Sequence, residues 1–184
     1  MLNMLNYETY LVEIIKRNRT AICCENMSED VYVIIPKDGA YNKEYVDTIN
    51  MPTIYSSHAG GALVLSPGDI AFTWIIDNRL MPNVIIDVCD FLKKFNKNIT
   101  INGNDIMLND KKILGTMSIG DTIYYEGLFF SFEPDINVIE NVTMKEIKKT
   151  PLGLSSLGVT KQDIILLIED LSKKYDLKFY GGDK

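Results

Sequence analysis

The sequence predicts an α+β fold: a mixed, mostly antiparallel β-sheet flanked by α-helices. Three observations point to it. Short β-branched and aromatic runs outnumber the segments with helical periodicity. Several of those runs are joined by turn residues close enough to make hairpins. The 184 residues, 46% hydrophobic and 24% charged, suit one ordered domain with a substantial core, with no internal repeat, low-complexity tract or interdomain linker.

The elements follow in order. Residues 7–18 carry Tyr7, Leu11, Ile14 and Ile15 on one helical face. Residues 20–24 and 31–35 are apolar strands, the second stopped by Pro36. Asp38-Gly39 turns the chain, and Asn42 caps a short helix to Asn50 that carries Tyr45, Val46 and Ile49 inward. A strand at 53–55 enters a small-residue corner, Ser56 to Gly61. Residues 62–65 extend, Ser66-Pro67-Gly68 turns, and residues 69–76 form a long apolar strand holding Trp74. Pro82 opens a helix that runs to about Asn96, with Val84, Val88, Phe91, Leu92 and Phe95 inward. A strand at 98–101 leads into a hairpin, and residues 122–132 form another strand. Helical turns are expected at 134–142 and 144–149, then a linker at 151–157. Thr160 and Asp163 make a capping box for a last helix, with Ile164, Leu167, Ile168, Leu171 and Tyr175 on one stripe. Residues 177–180 add an edge strand, and the last four residues fray.

Composition excludes some functions. The formal net charge is -6, with no basic run to neutralise phosphates, so a nucleic-acid role is disfavoured. Cys23, Cys24 and Cys89 make an odd, unspaced set, and the neighbours Cys23 and Cys24 read as buried strand residues and not as a disulfide framework or zinc site, which favours a reducing cytoplasm. The start lacks a signal-peptide pattern, and no stretch reaches the ~18 apolar residues of a membrane span. A cytoplasmic, single-domain monomer is the expectation.

The chemistry-bearing stretch is the hairpin at 104–115. Asn109-Asp110 supplies its turn, because both residues tolerate positive φ. That turn sets Asn104 and Asp105 on one arm and Lys112 on the other, and Gly115 leaves room beside the lysine. The glycine corner, Gly60-Gly61, reads either as a tight bend or as bare backbone for a ligand. His58, the one histidine, lies in that corner and reads as bonding a backbone carbonyl or facing solvent.

Taken together, residues 57–73, Asn104-Asp105-Ile106 and Lys112-Ile113-Leu114-Gly115 resemble the lipoate–protein ligase, octanoyltransferase and biotin–protein ligase superfamily, closest to the lipoate–protein ligase pattern. That pattern has a Gly-Gly-Gly-Ala-Val run, then Gly-Arg-Asn-Asp-Ile, then Lys-Ile-Ser-Gly, and the order is kept here. Asn42 to Val46, Tyr125 to Phe130, Asp135-Ile136 and 155–163 extend the match outward.

The resemblance implies a catalytic domain without the accessory C-terminal domain of many ligases. It implies that a carboxylic acid, lipoate or octanoate, is activated with ATP and magnesium. The acyl group then passes to a lysine on a lipoyl carrier domain. By carry-over Lys112 is the catalytic lysine. His58, Gly60, Gly61 and Ala62 border the acyl and nucleotide pocket. Asn104 and Asp105 hold nucleotide or its magnesium, with Asp105 the metal ligand, and Gly115 and Thr116 flank the lysine.

Departures are also present. Ser56 and Ser57 stand for an Arg-Arg pair, Ala59 for the first glycine, and Gly103 for an arginine. Leu65, Ser66 and Asp69 replace the His, Asp and Asn of the family turn. Leu152 occupies the place of the octanoyltransferase cysteine, which excludes a thioester route, since leucine cannot be acylated. A catalytically degenerate binding module of the same fold is the second expectation. A biotin–protein ligase is the third, because Ile101-Asn102-Gly103 lacks that family's lysine before Asn-Asp.

Overall fold

The computed structural model of the chain describes residues 1–36, 40–56, 61–75, 81–119, 125–143 and 149–181. The first half comprises β1 (Leu2–Asn3), α1 (Tyr7–Ile15), β2 (Thr20–Glu25), β3 (Tyr32–Pro36), α2 (Lys43–Thr48), β4 (Thr53–Ser56), β5 (Leu63–Leu65) and β6 (Ile70–Ile75). The second half adds α3 (Met81–Leu92), β7 (Ile99–Asn102), β8 (Asp105–Leu108), β9 (Lys111–Ile119), β10 (Tyr125–Phe130), α4 (Ile136–Val142), α5 (Lys161–Lys174) and β11 (Lys178–Phe179).

Among the described residues these strands form two sheets. The larger runs β1-β2-β6-β10-β9-β8-β7, with β11 also on β2. Its pairs are antiparallel except those of β1 and β11 with β2. The smaller runs β4-β3-β5, parallel on one side of β3 and antiparallel on the other. The mixed, mostly antiparallel α+β architecture expected from the sequence is observed.

Burial explains the layering. β2 is an apolar run without polar alternation, so it can only sit between two layers, and every residue in it is buried. Ala21 and Cys23 face the core under α3 and α5, while Ile22 and Cys24 face α1 and the small sheet. The far face of the small sheet packs Val33 and Ile35 against Val46 of α2 and Val142 of α4. Trp74, Phe72 and Phe130 are fully buried, each contributing about 1.5–3 kcal/mol by leaving water. Burial also pushes the Cys23 and Cys24 thiols up to about 11 and about 12, so both are inert hydrophobes.

Local signals set the helix ends. The Asn42 side chain accepts from Tyr45 N–H at 3.0 Å, and Thr160 with Asp163 closes the expected capping box. The apolar stripe of α5 is buried as expected. Four expectations are corrected. Ile49 lies past the end of α2 and is 43% exposed, because the helix stops at Thr48 before bringing it inward. α3 ends at Leu92 and continues as isolated turns, not as helix to Asn96. Asp135, not Pro134, opens α4, its carboxylate accepting from Val138 N–H. Part of the expected linker is a 3₁₀ turn, Leu154–Leu157, closed by Gly158 at φ +76°. The turn at Asp38-Gly39, the corner at 57–60 and the expected helix at 144–149, apart from Lys149, lie outside the described residues, as do residues 182–184.

Asp69 ties the small sheet to the large one. Its carboxylate is fully buried and accepts from Ser66 N–H at 2.9 Å and Phe132 N–H at 3.0 Å. Burial raises its carboxyl to about 6, against the pull of those donors. A carboxyl raised in the folded state binds more protons folded than unfolded between roughly pH 4 and 6, so stability falls as pH rises through that window. The expected loss is roughly 2–3 kcal/mol. Urea denaturation at several pH values, compared with Asp69→Asn, checks it: the difference between the two proteins should carry this slope, and parallel curves would refute it.

Candidate active site

The 104–115 stretch folds as the expected hairpin. β8 and β9 pair antiparallel, and Asn109 takes φ +56° in the turn. In a regular ladder, Lys112 and Gly115, an odd number of residues apart, would face opposite sides. The ladder is not regular. Asp105 pairs with Gly115 and Ile106 with Leu114, but Met107 pairs with Lys112, leaving Ile113 as an extra residue. This β-bulge swings Lys112 onto the face of Asp105 and Gly115. Its sequence trace is the consecutive pair Ile113 and Leu114, both buried, where alternation would make one polar.

The bulge closes an ion pair. Lys112 Nζ lies 2.8 Å from Asp105 Oδ1. A second lysine, not singled out from the sequence, completes the group: Lys149 Nζ lies 2.7 Å from Asp105 Oδ2. Burial alone would raise the Asp105 carboxyl, but the two ammonium groups together hold it below the usual carboxylate range. Asp105 is therefore ionised well into acid. Nothing near Lys149 in the sequence announced it, because its partner is distant in the chain and its neighbours 144–148 carry no distinguishing pattern.

Gly115 is needed for space. A Cβ built there would meet Lys112 Nζ at less than contact distance, Lys112 Cε at 2.7 Å and Asp105 Oδ1 at 3.3 Å. The room expected beside the lysine is thus filled by the lysine's own end. Gly115→Ala is expected to displace the ammonium from Asp105, since a flexible chain end yields before a backbone does. The acyl transfer that the sequence resemblance implies should fall roughly 10- to 100-fold with little change in melting temperature. Steady-state rates alongside thermal unfolding check this; an unchanged rate would contradict it.

A cavity of about 320 Å³ opens at this cluster. Ala62, Leu63 and Val64 of the glycine-corner strand form one wall, and Lys112 to Gly115 of β9 another. Phe129, Ile139 and Leu152 line it further, and Lys149 joins Lys112 in its lining. The volume is at the lower end of the roughly 300–1,000 Å³ of small-molecule sites. The strand that leaves the glycine corner and the lysine hairpin therefore share one slot.

The other predicted residues fall as follows. Ala62 is buried in the cavity wall, and Gly61 is exposed just before β5. Asn104 is exposed in the β7–β8 turn beside Gly103, whose φ is +63°. Thr116 lies in β9 opposite Leu128, its side chain outside the described part. His58 and Gly60 lie outside the described residues. Each oxygen of Asp105 meets one ammonium group, so in this arrangement the carboxylate anchors the two lysines. Among the described residues no three His, Cys, Asp or Glu side chains gather as a metal site. None of the helices among them is long and apolar enough to cross a membrane.

Known proteins share this fold. No protein-family model and no curated protein sequence matches the chain. Among solved structures, protein Ta0514 of T. acidophilum with bound lipoic acid superposes with a TM-score of 0.75 at 15% identity, covering 97% of this chain and 83% of that one. Lipoate-protein ligase A bound with ATP gives 0.70 at 14% identity, covering 96% and 81%. A bi-partite lipoate protein ligase of Thermoplasma acidophilum, from an archaeal lipoylation system studied with its E2 lipoyl domain, gives 0.68 at 12% identity, covering 96% and 79%. The chain has the fold of these lipoate–protein ligase structures.

Proposed function

With that shared fold as premise, we propose that the chain is an ATP-dependent acyl–protein ligase for lipoate or octanoate. One observation carries this reading: the β5 strand and the Lys112 hairpin meet around a mostly apolar slot that Lys112 and Lys149 also line. The acyl chain lies along Leu63, Val64 and Leu152, and its carboxylate meets Lys112. A carboxylate oxygen attacks the α-phosphorus of ATP and pyrophosphate leaves, giving an acyl-adenylate. The amine of a carrier-domain lysine then attacks the acyl carbonyl, the amide forms, AMP leaves and a proton goes to solvent.

Lys112 is the catalytic residue, its ammonium facing the oxygens on which negative charge develops in both steps. Asp105 holds that ammonium in place rather than binding metal. Ala62 walls the acyl site, Gly115 makes room for the lysine, and Thr116 continues its strand. A role in binding substrate or nucleotide is proposed from the sequence pattern for Gly61 and Asn104, and for His58 and Gly60 outside the described residues. The solved relatives with lipoic acid, ATP and an E2 lipoyl domain support the choice of ligands and partner. The test is mass spectrometry of a lipoyl carrier domain incubated with the protein, ATP, magnesium and lipoate or octanoate. A gain of the acyl mass is expected, and none would sink the ligase reading.

A second reading, a binding module of the same fold, draws on Asp69. The residues in the place of the family's His-Asp-x-Gly-Asn turn are here a buried structural tie: Asp69 accepts from Ser66 and Phe132 and presents nothing to the slot. Octanoate binding without carrier acylation would support this alternative.

A further inference from the structure

We propose that Lys149 is a second binding residue for the anionic head of the acyl substrate, acting with Lys112 as a two-ammonium cradle across Asp105. The inference rests on the reading of the cavity as the acyl site. Its first support is placement. Residues 149–152 are held on the hairpin at Lys112 itself: Lys112 N–H donates to Thr150 O at 2.9 Å, and Leu152 N–H donates to Lys112 O at 2.8 Å. Pro151 bridges Lys112 in parallel fashion. Lys149 is therefore positioned against Lys112 by backbone bonds, not by a loose surface contact.

Charge is the second support. Each ammonium takes a different oxygen of one carboxylate, so two positive charges face one negative charge. The cluster carries one unit of positive charge in excess, and both its lysines line a slot that is otherwise mainly hydrocarbon. A ligand with an apolar tail and a terminal oxyanion complements both parts. The Lys112 and Lys149 side chains are 39% and 32% exposed, so each keeps N–H donors accessible beyond those given to Asp105. Ser56, Ser57 and Gly103 stand where cations are expected from the sequence pattern, and Lys149 brings a cation to the pocket from another part of the chain.

The test measures binding of octanoate, neutral octanamide and AMP to the wild-type chain, Lys149→Ala and Lys149→Arg by calorimetry. Lys149→Ala should weaken octanoate roughly 10- to 100-fold while leaving octanamide and AMP unchanged, and Lys149→Arg should restore most of the octanoate affinity. In turnover the same loss should show mainly as a raised KM for the acid. Equal octanoate affinity in Lys149→Ala, a parallel loss for octanamide, or a loss confined to AMP would each overturn the assignment while leaving the acyl site standing. A wild-type chain that binds neither octanoate nor lipoate would overturn the acyl-site reading, and this inference with it.

Discussion

Lys112→Ala is expected to lower acyl transfer roughly 10²- to 10³-fold while the fold stays intact. The effect is large because the ammonium is held, not merely present. The bulge at Ile113 aims it, Asp105 fixes it at 2.8 Å, and Gly115 leaves the volume its end occupies. An ammonium held in that way meets developing negative charge without first reorganising. The fold survives because the truncated side chain is 39% exposed and Asp105 keeps Lys149, so no buried carboxylate is orphaned. The measurement is the rate at which carrier domain gains acyl mass, with thermal unfolding as the control. A variant as fast as wild type would remove Lys112 from the chemistry.

Gly153→Ala is expected to cost about 3 kcal/mol of stability or more, because the added methyl group meets backbone that is itself hydrogen-bonded in place. The backbone at Gly153 is in an ordinary extended conformation, φ -71° and ψ 146°, so its requirement is for space and not for dihedral freedom. A Cβ there would overlap Phe132 O and approach Pro134 Cδ at 2.6 Å and Phe132 C at 3.0 Å. Those atoms cannot swing aside. Leu154 N–H donates to Ser131 O at 3.0 Å and Ser155 N–H to Phe132 O at 3.2 Å, while Phe132 N–H is given to Asp69. Making room would break this stitching, and it would loosen residues 149–152, which carry Lys149. A urea denaturation curve reads the cost directly, and a midpoint within error of wild type would refute it.

What could be read from the sequence divides along physical lines. The stripe of α5, its capping box, the Asn42 cap and the Asn109 turn are local chemistry, fixed within a few residues, and all are found. The order of the glycine corner and the lysine hairpin was legible as a pattern, and the strand after that corner shares a slot with the hairpin once the sheets pack. Two features were not legible. Lys149 depends on a contact between segments far apart in sequence, which no local periodicity encodes. The bulge was hidden because Ile113-Leu114 reads as an ordinary apolar run unless the registers of both strands are known. Ile49 failed for a simpler reason: the helix stops at Thr48, two residues short of the expected end, and Ile49 lies beyond it.

The extra residue in β9 makes the chemistry depend on parity. At the present spacing of three, a strand that paired without the bulge would point its lysine to the Ile106 and Leu114 side, into hydrocarbon; with Ile113 absent, regular alternation would keep the lysine on the Asp105 side. Among sequences sharing this pattern, then, the presence of a lysine is a poor guide to competence. Its spacing from the glycine is the better one, since an even count needs no bulge and an odd count does.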